Sequence, residues 1–145
     1  MSSNFRLSRA YESAKKVPFN DDSKFIFFSD CHRGDNSFAD DFANNRNIYF
    51  HALSFYYKKG FQYFELGDGD ELWENIHFES IFEAHKNVFK LLRKFHLEGR
   101  LHMIWGNHDM VYKDPEYVKK NLSSYFEPID GESKELFEDI TYHEG

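Results

Sequence analysis

The stretch "KFIFFSDCHRGD", at Lys24–Asp35, joins an apolar run to a dense group of polar side chains. Its first part, "KFIFF", has the length and aromatic content of a buried strand. The run then leads directly into a carboxylate, a thiol, an imidazole and a guanidinium, and charged groups resist burial unless they are paired. This end of the strand is therefore expected to face solvent or a ligand.

Two later strands are predicted to end in the same way. "FQYFEL" (Phe61–Leu66) leads into "GDGDE", and "LHMIW" (Leu101–Trp105) leads into "GNHD". The segments between the strands have the apolar spacing of amphipathic helices. Their apolar positions are Ile48, Ala52, Phe55 and Tyr56 in the first segment, and Ile81, His85, Val88, Leu92 and Phe95 in the second. This order of elements predicts an α/β fold with a mainly parallel βαβαβ sheet.

Three shorter elements complete the predicted fold. A helix opens the chain and stops near Val17-Pro18. Asp114 and Pro115 have the N-cap and first-turn character of a helix that runs to about Asn121. The last residues, "EDITYHEG", are interpreted as the beginning of a strand, and the charged residues between positions 114 and 138 are interpreted as a solvated face.

The polar residues at the three strand ends are expected to converge. Intervals of 38 and 39 residues separate Asp30, Asp68 and Asn107, and each interval accommodates one strand-helix crossover. Parallel strands bring their carboxyl ends to one edge of a sheet, so we expect His32 and His108 to join these residues there. Clustered carboxylates repel one another unless a cation neutralises them. The oxygen and nitrogen donors suit Mn, Fe, Zn, Ni or Co.

The composition restricts the class of protein. The chain has 145 residues and a formal net charge of −7, which argues against binding nucleic acid through its phosphates. No signal peptide or membrane span is recognised, so a soluble cytoplasmic protein is expected. The single cysteine, Cys31, is expected to point into the core, with metal binding as the alternative. The high aromatic content, 19%, indicates a core built from rings or an apolar substrate surface.

The blocks "SDCH", "LGDGDE" and "GNHD" together resemble the first three sequence blocks of the calcineurin-like metallophosphoesterases, D-x-H, G-D-x-x-D/E and G-N-H-D/E. The resemblance implies a four-layer α/β/β/α sandwich and a hydrolase with a dinuclear metal site, most often manganese. In such a site a metal-bound water or hydroxide attacks the phosphorus of a phosphoester. "GDGDELWE", with Glu71 and Trp73, also resembles the branch that contains UDP-2,3-diacylglucosamine pyrophosphohydrolases.

The same resemblance implies a role for individual residues. It implies four metal ligands, of which Asp68 bridges the two ions: Asp30, His32, Asp68 and Asn107. His108 is implied to stabilise the developing charge or to protonate the leaving oxygen, and Asp109 to orient His108. The implied substrate is a phosphoester or pyrophosphate, either a small molecule or linked to a lipid.

The family pattern continues beyond the blocks that this chain contains. It includes a further histidine and a G-H-x-H type block, whereas only His143 follows His108 here. His143 is interpreted as an ordinary residue of the last strand, with the fourth-block ligand as the alternative. Residues 1–145 are therefore expected to form the N-terminal portion of a single metallophosphoesterase domain. Such a portion should bind metal weakly, turn over slowly and expose a sheet face that favours self-association.

Some residues keep two interpretations. Arg33 could hold a substrate phosphate or form a surface salt bridge with Asp35. His77 could face substrate from its loop, whereas His85 is expected in the core. For the whole chain, the alternative to a hydrolase is a catalytically silent metal-binding or scaffolding fold.

Overall fold

A computed structural model describes residues 3–75, 77–129 and 132–144 of the chain. Within these residues the strands are β1 (Phe25–Phe28), β2 (Gln62–Leu66), β3 (Leu101–Trp105), β4 (Phe126–Ile129), β5 (Glu132–Glu135) and β6 (Tyr142–Glu144). The helices are α1 (Ser3–Ser13), α2 (Arg46–Lys58), α3 (Phe78–Ala84), α4 (Lys86–Leu97) and α5 (Pro115–Val118). A 3₁₀ turn (Met110–Lys113) precedes α5, and a π-helical turn (Lys119–Ser123) follows it.

The main sheet is parallel and has the strand order β1-β2-β3-β6. The register pairs Phe28 with Glu65 and Leu66 with Ile104, so the first three strands end at the same edge. The predicted α/β fold with a parallel sheet is confirmed. The predicted last strand is also confirmed as β6, although Gly145 lies outside the described residues. The antiparallel hairpin β4-β5 was not predicted, because it lies in the charged region that was interpreted as a solvated face.

Helices α2, α3 and α4 contribute half of the buried hydrophobic residues in the described core, which covers one face of the sheet. Aromatic rings supply much of this core, as the composition suggested, including Tyr49, Tyr63, Phe78, Phe82, Phe89 and Phe95. The edge-to-face and tilted contacts between these rings add to the free energy gained from their buried area. These aromatic residues therefore pack tightly against one face of the sheet.

The buried face of α2 differs from the prediction. Tyr49 and Leu53 point into the core, whereas Ile48 is 74% exposed and Phe55 is 52% exposed. Aromatic and aliphatic residues occur on several sides of this helix, so more than one apolar stripe can be drawn through it. The stripe chosen from the sequence was therefore the wrong one.

The second helical segment is divided into α3 and α4 at His85. Its predicted apolar positions are all buried, and His85 is a core residue as expected. The Nε2 atom of His85 lies 2.8 Å from Oδ2 of Asp40, and Arg46 donates a hydrogen bond to the carbonyl of Ala84. Burial lowers the pKa of His85, and the hydrogen bond and charge of Asp40 oppose this effect.

The opposite face of the sheet is open around β1 and β2. Phe27 is 53% exposed and Leu66 is 45% exposed, while Phe27 and His102 each stack on Phe64. Across the described ranges, no helix has the length and apolar character needed to cross a membrane. The sheet thus has one face covered by α2, α3 and α4, and an opposite face that carries exposed apolar side chains on β1 and β2.

Candidate metal centre

Backbone hydrogen bonds join the ends of β1 and β2. The amide of Asp30 donates to the carbonyl of Gly67 at 3.2 Å, and the amide of His32 donates to the carbonyl of Asp68 at 2.9 Å. At the end of β3, the amide of His108 donates to Oδ1 of Asp68 at 2.7 Å. All three strand ends therefore meet around Asp68, as the spacing of the blocks predicted.

Three of the predicted ligands lie close enough together to hold one ion. One donor atom from each of Asp30, His32 and Asp68 lies within 4.8 Å of the others. Nε2 of His32 is 3.9 Å from Oδ1 of Asp30, and the Asp30 side chain is 68% exposed, so the cluster opens to solvent. Two carboxylates and one imidazole form a suitable donor set for a divalent ion such as manganese or zinc.

The backbone at these three residues has an unusual conformation. Their φ angles are positive, 51° at Asp30, 48° at His32 and 53° at Asp68. Such angles are uncommon for residues other than glycine, although aspartate and histidine adopt them more often than most. Residues in this region persist where surrounding contacts hold them, and they concentrate at functional sites.

Glu71 connects two imidazoles of the site. Its Oε2 lies 3.0 Å from Nδ1 of His32 and 2.6 Å from Nδ1 of His108. An ionised carboxylate only accepts hydrogen bonds, so Nδ1 carries the proton in both rings. Burial raises the pKa of Glu71, but the hydrogen bonds from His32 and His108 outweigh burial and leave it below its ordinary value. Glu71, His32 and His108 also form a second group whose donor atoms could hold an ion.

An exposed indole borders the site. The ring of Trp73 stacks on the ring of His108, with a centroid distance of 4.2 Å and an interplanar angle of 25°. Trp73 is 63% exposed, and its backbone amide donates to Oε1 of Glu71 at 3.2 Å. One face of the His108 ring is therefore covered by an aromatic side chain.

The Asp109 carboxylate contacts backbone amides, whereas the resemblance implied that it orients the His108 ring. Its carboxylate accepts hydrogen bonds from the amides of Gly106 at 2.6 Å and Gly69 at 2.8 Å, and the residue is 1% exposed. Burial raises the pKa of Asp109 to about 6, against the opposing effect of the Gly106 hydrogen bond. The turns at the strand ends leave amides that need acceptors, and Asp109 satisfies them. The carboxylate in contact with the His108 ring belongs to Glu71.

Both interpretations of Arg33 are wrong. The residue is fully buried, so its guanidinium is not available to a substrate phosphate or to a surface salt bridge with Asp35. Nε donates to Asp70 at 2.7 Å, while Nη1 and Nη2 donate to the two oxygens of Glu65 at 2.8 and 2.6 Å. The charged Glu65 inside β2 is thus explained as the partner of Arg33.

The remaining candidates occupy varied positions. Cys31 packs against the core as predicted, and burial together with the charge of Glu65 raises its pKa to about 12. Asn107 is exposed at the same sheet edge as His108. His143 lies in β6 opposite Ile104, and His77 is exposed immediately before α3.

Two important acids were not assigned a role from the sequence. Glu71 could have been assigned from its place three residues after Asp68, at the last position of the second block. Asp70 accepts hydrogen bonds from Arg33 and Tyr112, neither of which is close to it in sequence.

The chain matches no family model, no curated protein and no solved structure. The resemblance to a phosphoesterase family therefore depends on the three sequence blocks.

Proposed function

We propose that this chain acts as a metal-dependent phosphoester hydrolase of the calcineurin-like type. The observation that carries the proposal is the convergence of Asp30, His32 and Asp68, whose donor atoms lie within 4.8 Å of one another. The donor set fits a divalent ion, and Asn107 lies at the same edge to contribute to a second one. Manganese is the first choice, with Fe, Zn, Ni or Co as alternatives.

The residues of the chain would divide the work between binding and proton transfer. Asp30, His32, Asp68 and Asn107 would hold the ions. When bound, these ions would neutralise phosphoryl oxygens and lower the pKa of a water molecule. Glu71 holds Nδ1 of His108, so Nε2 is left as the nitrogen that could interact with the leaving oxygen.

The substrate and the complete fold form the finer part of the proposal. We propose a phosphoester or pyrophosphate substrate, small or lipid-linked, because the exposed Trp73 gives the site an apolar border. We also propose that the open face of the sheet, with Phe27 and Leu66 half exposed, packs against a second sheet in a four-layer sandwich. Without that layer the face would favour self-association.

Metal binding and turnover should be measured on the same preparation. Mn²⁺ affinity can be followed by electron paramagnetic resonance, and hydrolysis can be followed with an aryl phosphate and an aryl phosphodiester. Asp68→Asn should weaken Mn²⁺ binding at least about 10-fold. His108→Ala should leave Mn²⁺ affinity nearly unchanged and lower turnover by about 10²–10⁴-fold.

His51→Ala is the matched control, because His51 is an exposed histidine on α2. It should change neither affinity nor turnover. If His108→Ala hydrolyses the aryl substrates at the wild-type rate, the silent metal-binding fold is favoured. A wild-type chain that binds none of the five metals would refute the proposal.

A further inference from the structure

We propose that Arg33 is a positioning residue, whose buried ion pairs hold the ends of β1 and β2 in the conformation that brings the metal ligands together. This inference rests on the proposed function and deepens it. Arg33 lies directly after His32, yet its side chain points away from the site into the core. It would therefore act on the ligands through the backbone and not by contact with substrate.

Both backbone groups of Arg33 form hydrogen bonds with the segment that follows β2. The amide of Arg33 donates to the carbonyl of Gly69, and its carbonyl accepts from the amide of Glu71, both at 2.9 Å. Arg33 and Asp70 form an isolated parallel bridge. These bonds lie immediately beside the positive φ angles of His32 and Asp68. The unfavourable conformation is thus held by a short ladder that continues beyond the two strands.

The side chain of Arg33 forms further contacts with β2 and the segment that follows it. One guanidinium contacts both Glu65, inside β2, and Asp70, just beyond its end. Tyr63 donates a further hydrogen bond to Glu65, and Tyr112 donates one to Asp70, both at 2.6 Å. A buried charge is tolerated when it is paired and its hydrogen bonds are satisfied, and both conditions are met here.

Arginine is suited to this position for a geometric reason. Its planar fork supplies a bidentate contact to Glu65 and a separate N–H to Asp70, and a lysine ammonium cannot reproduce that arrangement. The space is also tight around the fork. A methyl group on Gly69 would clash with Oε1 of Glu65 and lie 2.6 Å from Nη2 of Arg33, so the close approach of this ion pair to the backbone requires glycine.

The experiment compares Arg33→Lys with Leu53→Ala, a core variant whose side chain is fully buried on α2. Both variants should lose global stability, which urea denaturation will measure. Amide hydrogen exchange will then be measured on the metal-free proteins. In Arg33→Lys only, residues 32 and 33 should lose at least about 10-fold more protection than the loss of global stability explains. In Mn²⁺ titrations, Arg33→Lys should bind at least about 10-fold more weakly, and Leu53→Ala should bind like the wild type.

Exchange at residues 32 and 33 that rises only in proportion to global stability would overturn the proposal, because Arg33 would then be an ordinary core ion pair. If Arg33→Lys does not fold, Tyr112→Phe removes a single hydrogen bond to Asp70 and should produce the same local loss on a smaller scale. A wild-type chain that binds none of the five metals would refute the proposed function, and the exchange of the metal-free proteins would still decide the role of Arg33.

Discussion

Replacing Gly106 by alanine should damage the candidate metal centre through a direct steric conflict. The new Cβ would lie 2.6 Å from Cγ of Asp68 and 2.7 Å from the Asp68 amide nitrogen. Ordinary contacts between carbon atoms are about 3.5–4.0 Å, so the Asp68 side chain would have to move by about 1 Å. This movement would weaken the hydrogen bond between Oδ1 of Asp68 and the amide of His108.

The expected loss of stability has two parts. Overpacking of this kind costs about 1–3 kcal/mol. Loss of the hydrogen bond to a charged acceptor adds about 1.5–3 kcal/mol. The free energy of unfolding, measured in urea, should therefore fall by roughly 2.5–6 kcal/mol. Displacement of a proposed bridging ligand should also weaken Mn²⁺ binding by about 10–100-fold.

Gly60→Ala provides the matched control for this substitution. Gly60 has a φ angle of 78°, and no atom lies within 4 Å of the position that a Cβ would occupy, so alanine there strains only the local backbone. The strain should cost about 1–2 kcal/mol and leave Mn²⁺ affinity unchanged. If Gly106→Ala binds Mn²⁺ as tightly as wild type, or if Gly60→Ala weakens binding equally, the reasoning is refuted.

Three further predictions concern the core. Because burial raises the pKa of Cys31 to about 12, alkylation of its thiol at pH 8 should be at least about 100-fold slower in the native protein than in urea, and equal rates would contradict this. The pKa of His85 is lowered, so its contribution to stability is present above about pH 6.5 and is lost as the pH falls. His85→Gln should therefore lose less stability in acid than the wild type does. An unchanged dependence of stability on pH would count against this prediction. Leu53→Ala should cost about 2–5 kcal/mol in urea denaturation, whereas Ile48→Ala should cost less than about 1 kcal/mol, and the reverse order would mean that the buried face of α2 is misassigned.

The strand ends could be predicted from the sequence because their geometry depends on local patterns and on one topological rule. β3 has the predicted bounds, and β1 and β2 each begin one residue later than predicted. Once the sheet is parallel, Asp30, Asp68 and His108 must share an edge. No long-range detail was needed for that conclusion.

The role of Arg33 could not be predicted in this way. An arginine beside a possible metal ligand has the same appearance in sequence whether it binds phosphate or closes a buried ion pair. The decisive partner, Glu65, is 32 residues away, and the pairing depends on the side-chain direction that the bridge between Arg33 and Asp70 imposes. For α2, aromatic residues around the helix made the apolar period ambiguous, and only packing selected Leu53.

The positive φ angles at positions 30, 32 and 68 also restrict which sequences this site can accept over time. The backbone favours glycine, asparagine, aspartate or histidine at these positions, and a metal centre excludes glycine. Glutamate would keep the charge of Asp68 but would fit the backbone less well. A saturation library sorted for stability alone should therefore accumulate glycine at the three positions, while a library sorted for metal binding should retain Asp, Asn and His. The residue frequencies at three codons would record which selection a population had experienced.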